Sequence, residues 1–401
     1  MSVATVVGAD AAGADIVDGL RSAGVGVGTV LRRPGNSPFT YVLVDTSSAT
    51  RTCIHTPGSC GELLPADCEA GGALDCGEPS SEKDGNSAAK SEVVGSLDSN
   101  SRTKRHKKSH AECLTSAQIS AVDCLANCWL LHCDSRHTEG SVTCARRANT
   151  RRVLVSVDCE KDRPYFEELL PCADVLFTNS VFPTKRCPEP NSVVFETPAS
   201  MASDLPEKVP LRSDNGHQRS PIVSPEADAV VCTTARGQAR LLATFPRVQL
   251  VVSTLGALGA VAAMRKLPTV STAVNNTSCS FSLELGPMAG HSSAEEETIG
   301  LVKASWFSPF SNGDEYDEFT FVYVGAWPLG ENGAATTPEQ VVDTTGAGDA
   351  FIGGALHALR QGAPIAKILA AGTFVAGQKV QAQGARSNLP SAAALQSAIG
   401  M

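Results

Sequence analysis

The chain of 401 residues contains no uncharged apolar run of roughly 18 residues or more, so no segment of it reads as a membrane span. It also lacks an excess of basic charge. Lys and Arg number 33 against 42 Asp and Glu, a formal net charge of −9, which argues against nucleic acid as the partner because a phosphate footprint needs a basic surface. Aromatics make up only 5% while glycines number 35, a balance that suits an α/β enzyme with many backbone turns better than a β-sandwich. The opening Met1-Ser2-Val3-Ala4-Thr5-Val6-Val7-Gly8 has neither the basic stretch nor the long apolar core of a secretory signal, so the reading is of a cytoplasmic protein. The 14 cysteines include no C-x-x-C pair and keep no regular spacing, which points to thiols in a reducing compartment rather than disulfides. Cys124, Cys128 and His132 recur at four-residue steps, but Trp129–Cys133 reads as a strand and breaks the helical geometry a zinc site there would need. No G-x-x-x-x-G-K-[ST] loop and no H-R-D or D-F-G motif occurs, which excludes P-loop and protein-kinase mechanisms.

What is present reads as strands ending in polar or glycine-rich loops. Val3–Val7 is a β-branched strand, and Ala11–Ala23 a helix with Ile16, Val17 and Leu20 on one face, closed by Gly24 before another strand. Phe39–Val44 and Arg51–His55 flank Asp45–Thr50 as a hairpin. Thr115 or Ser116 caps a helix running to Cys128. Four further strands follow: Trp129–Cys133, Arg152–Val157, Asp174–Phe177 and Val248–Val252. With helix-like segments between them, these predict a doubly wound, mostly parallel sheet whose ligands bind at the carboxyl ends of its strands. Three stretches interrupt the pattern, at 69–112, 184–226 and 272–299, and their polar, Gly/Ser/Pro-rich composition reads as disordered insertions in a single domain. The basic run Arg102–Lys108 sits in the first of them and reads as a solvated charge run.

The most informative segment is Val341-Val342-Asp343-Thr344-Thr345-Gly346-Ala347-Gly348-Asp349-Ala350-Phe351. A helix follows it, with Ile352, Ala355, Leu356 and Leu359 on one face and a stop at Gly362 and Pro364. Glycines at a helix start let backbone N–H groups converge, with the helix dipole behind them, as an anion hole. A carboxylate in the first turn, Asp349, repels an anion held there, so its presence points to general-base work on a hydroxyl during phosphoryl transfer.

These residues resemble the C-terminal signature of the PfkB-type carbohydrate kinases, the ribokinase family. Val252–Ala260 resembles the family's nucleotide loop, and Leu131–Arg136 with Ser156–Lys161 resembles its ketohexokinase-like branch. The resemblance implies an α/β ribokinase-like fold in one domain spanning 1–401, with Phe39–His55 as a β lid through which two copies pair. It implies ATP and Mg²⁺ as cofactors and a small sugar as acceptor. Asp349 would be the catalytic base, and Gly346, Ala347 and Gly348 the anion hole. Thr254, Gly256 and Gly259 would approach the nucleotide, and Asn179 would either contact phosphate or cap a turn. Arg136 would face the phosphate side and Glu160 would order Mg²⁺-bound water, unless the two form an ordinary surface pair. Asp343, the carbonyl of Thr345 and Gly384 would hold a monovalent cation such as K⁺.

Two departures qualify the resemblance. The family's N-x-x-E motif reads Asn179-Ser180-Val181-Phe182 here, without its Glu. Nothing in residues 1–60 matches the family's first strand with its sugar-binding Asp or its Gly-Gly-x-x-x-Asn segment, so the chain reads as lacking the first several tens of family residues. The function expected is therefore ATP-dependent phosphorylation of a sugar hydroxyl. The alternatives are a nucleoside kinase of the same family, or a catalytically silent nucleotide-binding scaffold.

Overall fold

The computed structural model describes residues 1–45, 50–69, 124–125, 127–188, 224–265, 296–310, 318–330, 336–337 and 340–401. Most of the three stretches read as insertions, and the basic run 102–108, lie outside the described residues. The described residues gather into two compact units, one from 1–38, 57–62 and 66–126 and the other from 39–56, 63–65 and 127–401. No helix among them is long and apolar enough to cross a membrane.

In the smaller unit the strand–helix–strand order holds. Strand β1 (Ser2–Gly8) pairs in parallel with β2 (Gly26–Arg33), and α1 (Ala11–Ser22) joins them. Val7, Val17 and Val30 bury one small apolar cluster between the three elements. Asp10 caps α1 by accepting from the Gly13 N–H at 2.9 Å, and it also accepts from the Ser37 N–H at 2.9 Å and the Ser37 hydroxyl at 2.8 Å. Led by the Ser37 N–H, these donors hold the Asp10 carboxyl below its ordinary value.

The larger unit contains the hairpin and the main sheet. Strands β3 (Phe39–Asp45) and β4 (Thr50–Thr56) pair antiparallel from Phe39↔Thr56 to Asp45↔Thr50. Phe39, Tyr41, Leu43 and Ile54 stand exposed on it. Of the helix expected to run to Cys128, residues 115–123 and 126 lie outside the described residues, and Asn127 and Cys128 are not helical. Asn127 has φ 57°, a left-handed conformation that stops a helix.

The main sheet has eight strands, in the order β10-β11-β12-β9-β8-β7-β6-β5. Strands β5 (Leu130–Cys133), β6 (Leu154–Cys159), β7 (Val175–Asn179) and β8 (Leu250–Thr254) run parallel. Strands β9 (Ala260–Arg265), β12 (Phe319–Val324), β11 (Val302–Phe307) and β10 (Glu296–Ile299) then add antiparallel beyond β8. Helix α2 (Thr138–Thr150) links β5 to β6, and α3 (Pro225–Thr244) lies between β7 and β8 in the chain. Helices α4 (Ala347–Arg360), α5 (Ile365–Lys379) and α6 (Ala392–Ile399) follow the last strand.

Several boundaries differ from the sequence reading. Strand β6 begins at Leu154 rather than Arg152, because Arg152 takes φ 59° as it leaves α2. The stretch read as linker up to 226 ends in a helix start: Ser224 caps α3 by accepting from the Ala227 N–H at 3.2 Å, with Pro225 in the first turn. Residues 184–186 likewise finish a helical turn, Phe182–Arg186, and 296–299 form β10.

One face of the sheet packs on α4, α5 and α6. Val175, Phe177, Leu250, Val252, Ala262, Met264 and Val322 meet Phe351, Ala355, Ile365, Ile368 and Leu369 in one contiguous core. On the same sheet a buried polar lock ties three strands to α3. Gln238 of α3 donates to the carbonyls of Val251 and Val261 and to the Ser253 hydroxyl, which is 2.6 Å from that of Thr178. Buried polar groups are stabilising only when they find such partners, so this set fixes the register of β7, β8 and β9.

Helices α4 and α5 approach closely because Gly354 has no side chain. A Cβ there would lie 2.7 Å from the Ala371 carbonyl oxygen and 2.8 Å from a Val375 methyl. Gly353, one residue earlier, faces open space. Gly354→Ala is therefore expected to destabilise by about 1–3 kcal/mol through overpacking, whereas Gly353→Ala stabilises by up to about 1 kcal/mol through helix propensity. Urea unfolding of the two variants checks the opposite signs.

Candidate functional site

The parallel half of the sheet brings four strand ends into line. Cys133 pairs with Val157, Cys159 with Thr178, and Asn179 with Thr254, so the loops after β5, β6, β7 and β8 lie along one edge. That edge is where ligands bind in open α/β sheets. The loops carry Asp134 and Arg136 after β5, Asp158 and Glu160 at the end of β6, Asn179 closing β7, and Thr254 closing β8.

The N-terminus of α4 faces this edge. Asp349, exposed in the first turn of α4, is close enough for its charge to act on both Asp158 and His132. Gly346 sits at the N-cap with φ 76°, and a Cβ there would lie 2.6 Å from the Ala385 carbonyl oxygen, so only glycine makes this turn. The first N–H groups of a helix have no partner within it. Of the residues expected to form an anion hole, Ala347 already has a backbone partner, its N–H donating to the Thr344 carbonyl at 3.1 Å. A Cβ on Gly348 would meet nothing within 4 Å.

Charge is strained across the edge. Burial pushes the Asp158 carboxyl up to about 7, with Glu160, Asp349 and Asp134 adding like-charge repulsion. The His132 Nδ1 lies 2.9 Å from the Ser156 hydroxyl, and its ring packs edge-on to Phe177. Although its outer edge meets solvent, the packing lowers its pKa, and Asp134 and Asp349 oppose that shift. The carboxylates feel one another without closing into a cage. Among the described residues no group of three or more His, Cys, Asp or Glu stands ready to hold a metal ion.

The remaining residues singled out from the sequence divide. Asn179 acts as a turn cap: its Oδ1 accepts from the Val181 and Phe182 N–H groups at 3.1 and 2.8 Å, and its Nδ2 donates to the Glu160 carbonyl at 3.0 Å. Thr254 reaches the Thr178 carbonyl at 3.5 Å. Gly256, at φ 59°, has open space where a side chain would be. Gly259, at φ 104°, would drive a Cβ to 2.2 Å from the Val324 carbonyl oxygen, so packing requires it. Arg136 is exposed, and its backbone N–H donates to the Asp134 carboxylate at 3.0 Å. Asp343, Thr345 and Gly384 do come together: the buried Asp343 carboxylate accepts from the Thr345 and Gly384 N–H groups, each at 2.8 Å. Sequence reasoning gave no role to Asp158, whose only signal was an acid at the end of a buried strand.

Comparisons with known proteins bear on the fold and on the C-terminal segment. Residues 325–392 match the family model described as pfkB family carbohydrate kinase. Among solved structures, Arabidopsis thaliana ribokinase complexed with ribose and ATP is 15% identical, covers 99% of this chain and 80% of its own, and superposes with a TM-score of 0.52. A putative ribokinase II from E. coli in its apo form is 12% identical over 99% of this chain and 82% of that one, with a TM-score of 0.52. The form of that protein in complex with ATP and Mg²⁺ gives 0.50 at the same identity and coverage. No curated protein sequence matches the chain. The fold is ribokinase-like, an α/β sheet flanked by helices. Its C-terminal segment, which contains Asp343–Phe351, lies within the stretch that is similar to the pfkB family model.

The strained carboxylate generates a pH-dependent prediction. Asp158 ionises near pH 7 when folded and near its ordinary 3.8 when unfolded, so the folded state binds that proton more tightly and stability is lost as pH rises from about 4 through 7. Asp158→Asn removes this loss. The variant should melt a few degrees above the parent at pH 8, reflecting roughly 2 kcal/mol, and the gap should close steadily toward pH 4.5. Differential scanning calorimetry across that range checks it.

Proposed function

We propose that this chain transfers the γ-phosphoryl group of ATP to a hydroxyl of a small sugar. The observation that carries the reading is Asp349 in the first turn of α4, beside the Gly346 turn and facing the carboxyl ends of the parallel strands. In the reaction, the Asp349 carboxylate accepts the acceptor hydroxyl's proton as the oxygen attacks phosphorus. The N–H groups of Gly346 and Gly348, with the α4 dipole behind them, steady the charge on the transferring group. The open space over Gly256, next to Thr254, supports approach of the nucleotide there. Arg136, exposed at the β5 end, supports charge complementarity to phosphate. The exposed apolar residues of the Phe39–Thr56 hairpin support pairing of two copies.

Magnesium fits the donor set in a particular way. Mg²⁺ keeps most of its waters and takes one or two carboxylates plus substrate phosphates, and exposed Glu160 beside strained Asp158 offers hard oxygens of that kind without a cage. Bound with the nucleotide, the ion would neutralise phosphate charge and relieve the repulsion among these acids.

The test is a coupled ADP-release assay of the full chain with MgATP against fructose, ribose and adenosine. Sugar-dependent release is expected. Asp349→Asn should lower turnover by about 10²–10⁴-fold with nucleotide affinity little changed, because the base is lost while the helix start is kept. Retention of more than about a tenth of the activity would remove Asp349 from the mechanism. Preference for adenosine over both sugars would make the chain a nucleoside kinase, and ATP binding with no acceptor-dependent release would make it a silent nucleotide-binding scaffold.

A further inference from the structure

The resemblance places a monovalent cation among Asp343, the Thr345 carbonyl and Gly384, and the structure shows what stands there instead. Lys379, the last residue of α5, is fully buried at 0% exposure. Its Nζ donates to the Asp343 carbonyl oxygen at 2.6 Å and to the Ala382 carbonyl oxygen at 3.3 Å. The Asp343 carboxylate lies in the same cluster and takes the N–H groups of Thr345 and Gly384. Val342 and Asp343 both donate backbone N–H to the Val380 carbonyl, at 2.8 and 3.1 Å. Residues 342–345 and 379–384 are thus stapled to each other around one ammonium group.

We propose that Lys379 is a built-in monovalent cation, which makes the loop that presents the α4 N-terminus independent of potassium. A potassium site is a set of inward-turned oxygens that replace the ion's hydration shell. An ammonium group with three donors and no acceptor needs the same oxygens. Here the Asp343 carbonyl already serves the ammonium group, and both carboxylate oxygens of Asp343 already serve N–H donors. A K⁺ ion in this cluster would share a carbonyl with Lys379 and meet like charge at contact distance, so the residues present do not fit it. A buried charge persists only when paired and hydrogen-bonded, and Asp343 is the partner. Burial pushes the Asp343 carboxyl up, but Thr345, Gly384 and the Lys379 charge outweigh it and hold it at about 2. The consequence reaches the proposed phosphoryl site through backbone. Asp343 lies three residues before Gly346, and Ala385, next to Gly384, lies directly against the Gly346 turn. Lys379 is in this sense a positioning residue, acting on the anion hole through residues 343–346.

The inference concerns the same site as the proposed kinase reaction, but its test needs no phosphoryl transfer, so the two can fail separately. The full chain is melted in KCl, NaCl, LiCl and choline chloride at equal ionic strength, and titrated with Tl⁺ followed by ²⁰⁵Tl NMR. The parent protein should show the same Tm in all four salts and no saturable Tl⁺ binding. Lys379→Ala and Lys379→Gln should lose on the order of 10 °C in Tm, because they leave Asp343 without its buried partner. Potassium or ammonium chloride, but not lithium or choline chloride, should restore part of that loss, with saturable Tl⁺ binding appearing in the variants. Saturable Tl⁺ binding or a potassium-specific Tm rise in the parent overturns the proposal, even if neither variant folds. Variants that fold, melt early and gain nothing from any cation overturn it as well, since they would reduce Lys379 to an ordinary buried residue.

Discussion

The contact between the Lys379 ammonium and the backbone of Asp343 is the constraint on which the rest of this site depends. These residues are 36 apart in the chain, and the contact joins the end of α5 to the loop before α4, alongside the Val342 and Asp343 N–H bonds to the Val380 carbonyl and the Gly384 N–H bond to the Asp343 carboxylate. The pairing fixes the turn at Gly346, the turn fixes where α4 begins, and the beginning of α4 sets where Asp349 and the first free N–H groups face. The Gly354 contact with α5 then keeps the two helices close enough for Lys379, at the end of α5, to reach back to Asp343.

The opposite side of the site is built on unbalanced charge. Beyond the effect of burial, Glu160, Asp349 and Asp134 each push the Asp158 carboxyl up by like-charge repulsion. A carboxylate perturbed by burial and by like charges marks a candidate functional edge. The two halves therefore handle charge differently. Around Asp343 the balancing cation belongs to the chain, and beside Asp158 the proposed function would bring one with the nucleotide.

Much of this was legible in the sequence where local physics decides the structure. The apolar runs before Asp134, Asp158, Asn179 and Thr254 are strands because buried parallel strands need β-branched and apolar residues on both faces. The Gly346 turn is legible because no other residue takes its conformation against Ala385. The hairpin is legible from alternation around a polar turn. What escaped depends on distant partners. Lys379 looks like any basic residue in the last turn of a helix, and only the fold brings Asp343 to it. The shift at Asp158 comes from burial and from acids on two other segments. Asn179 carries the same side chain whether it caps a turn or meets a phosphate, and only the fold shows that the 181–182 backbone engages its Oδ1. The antiparallel strands β9 to β12 are short and follow irregular stretches, so periodicity alone does not separate them from loops.

The central claim is that anion binding occurs at the start of α4, presented by a loop that the chain itself holds in place. The most direct measurement is backbone amide NMR of the full chain during titration with a non-hydrolysable ATP analogue and Mg²⁺. The account predicts that the amides of Gly346, Gly348 and Asp349 shift together and saturably, with Gly256 moving at the same midpoint and with Gly384 unmoved because its N–H already serves Asp343. Saturable shifts confined to other segments, with the α4 start silent, would contradict it.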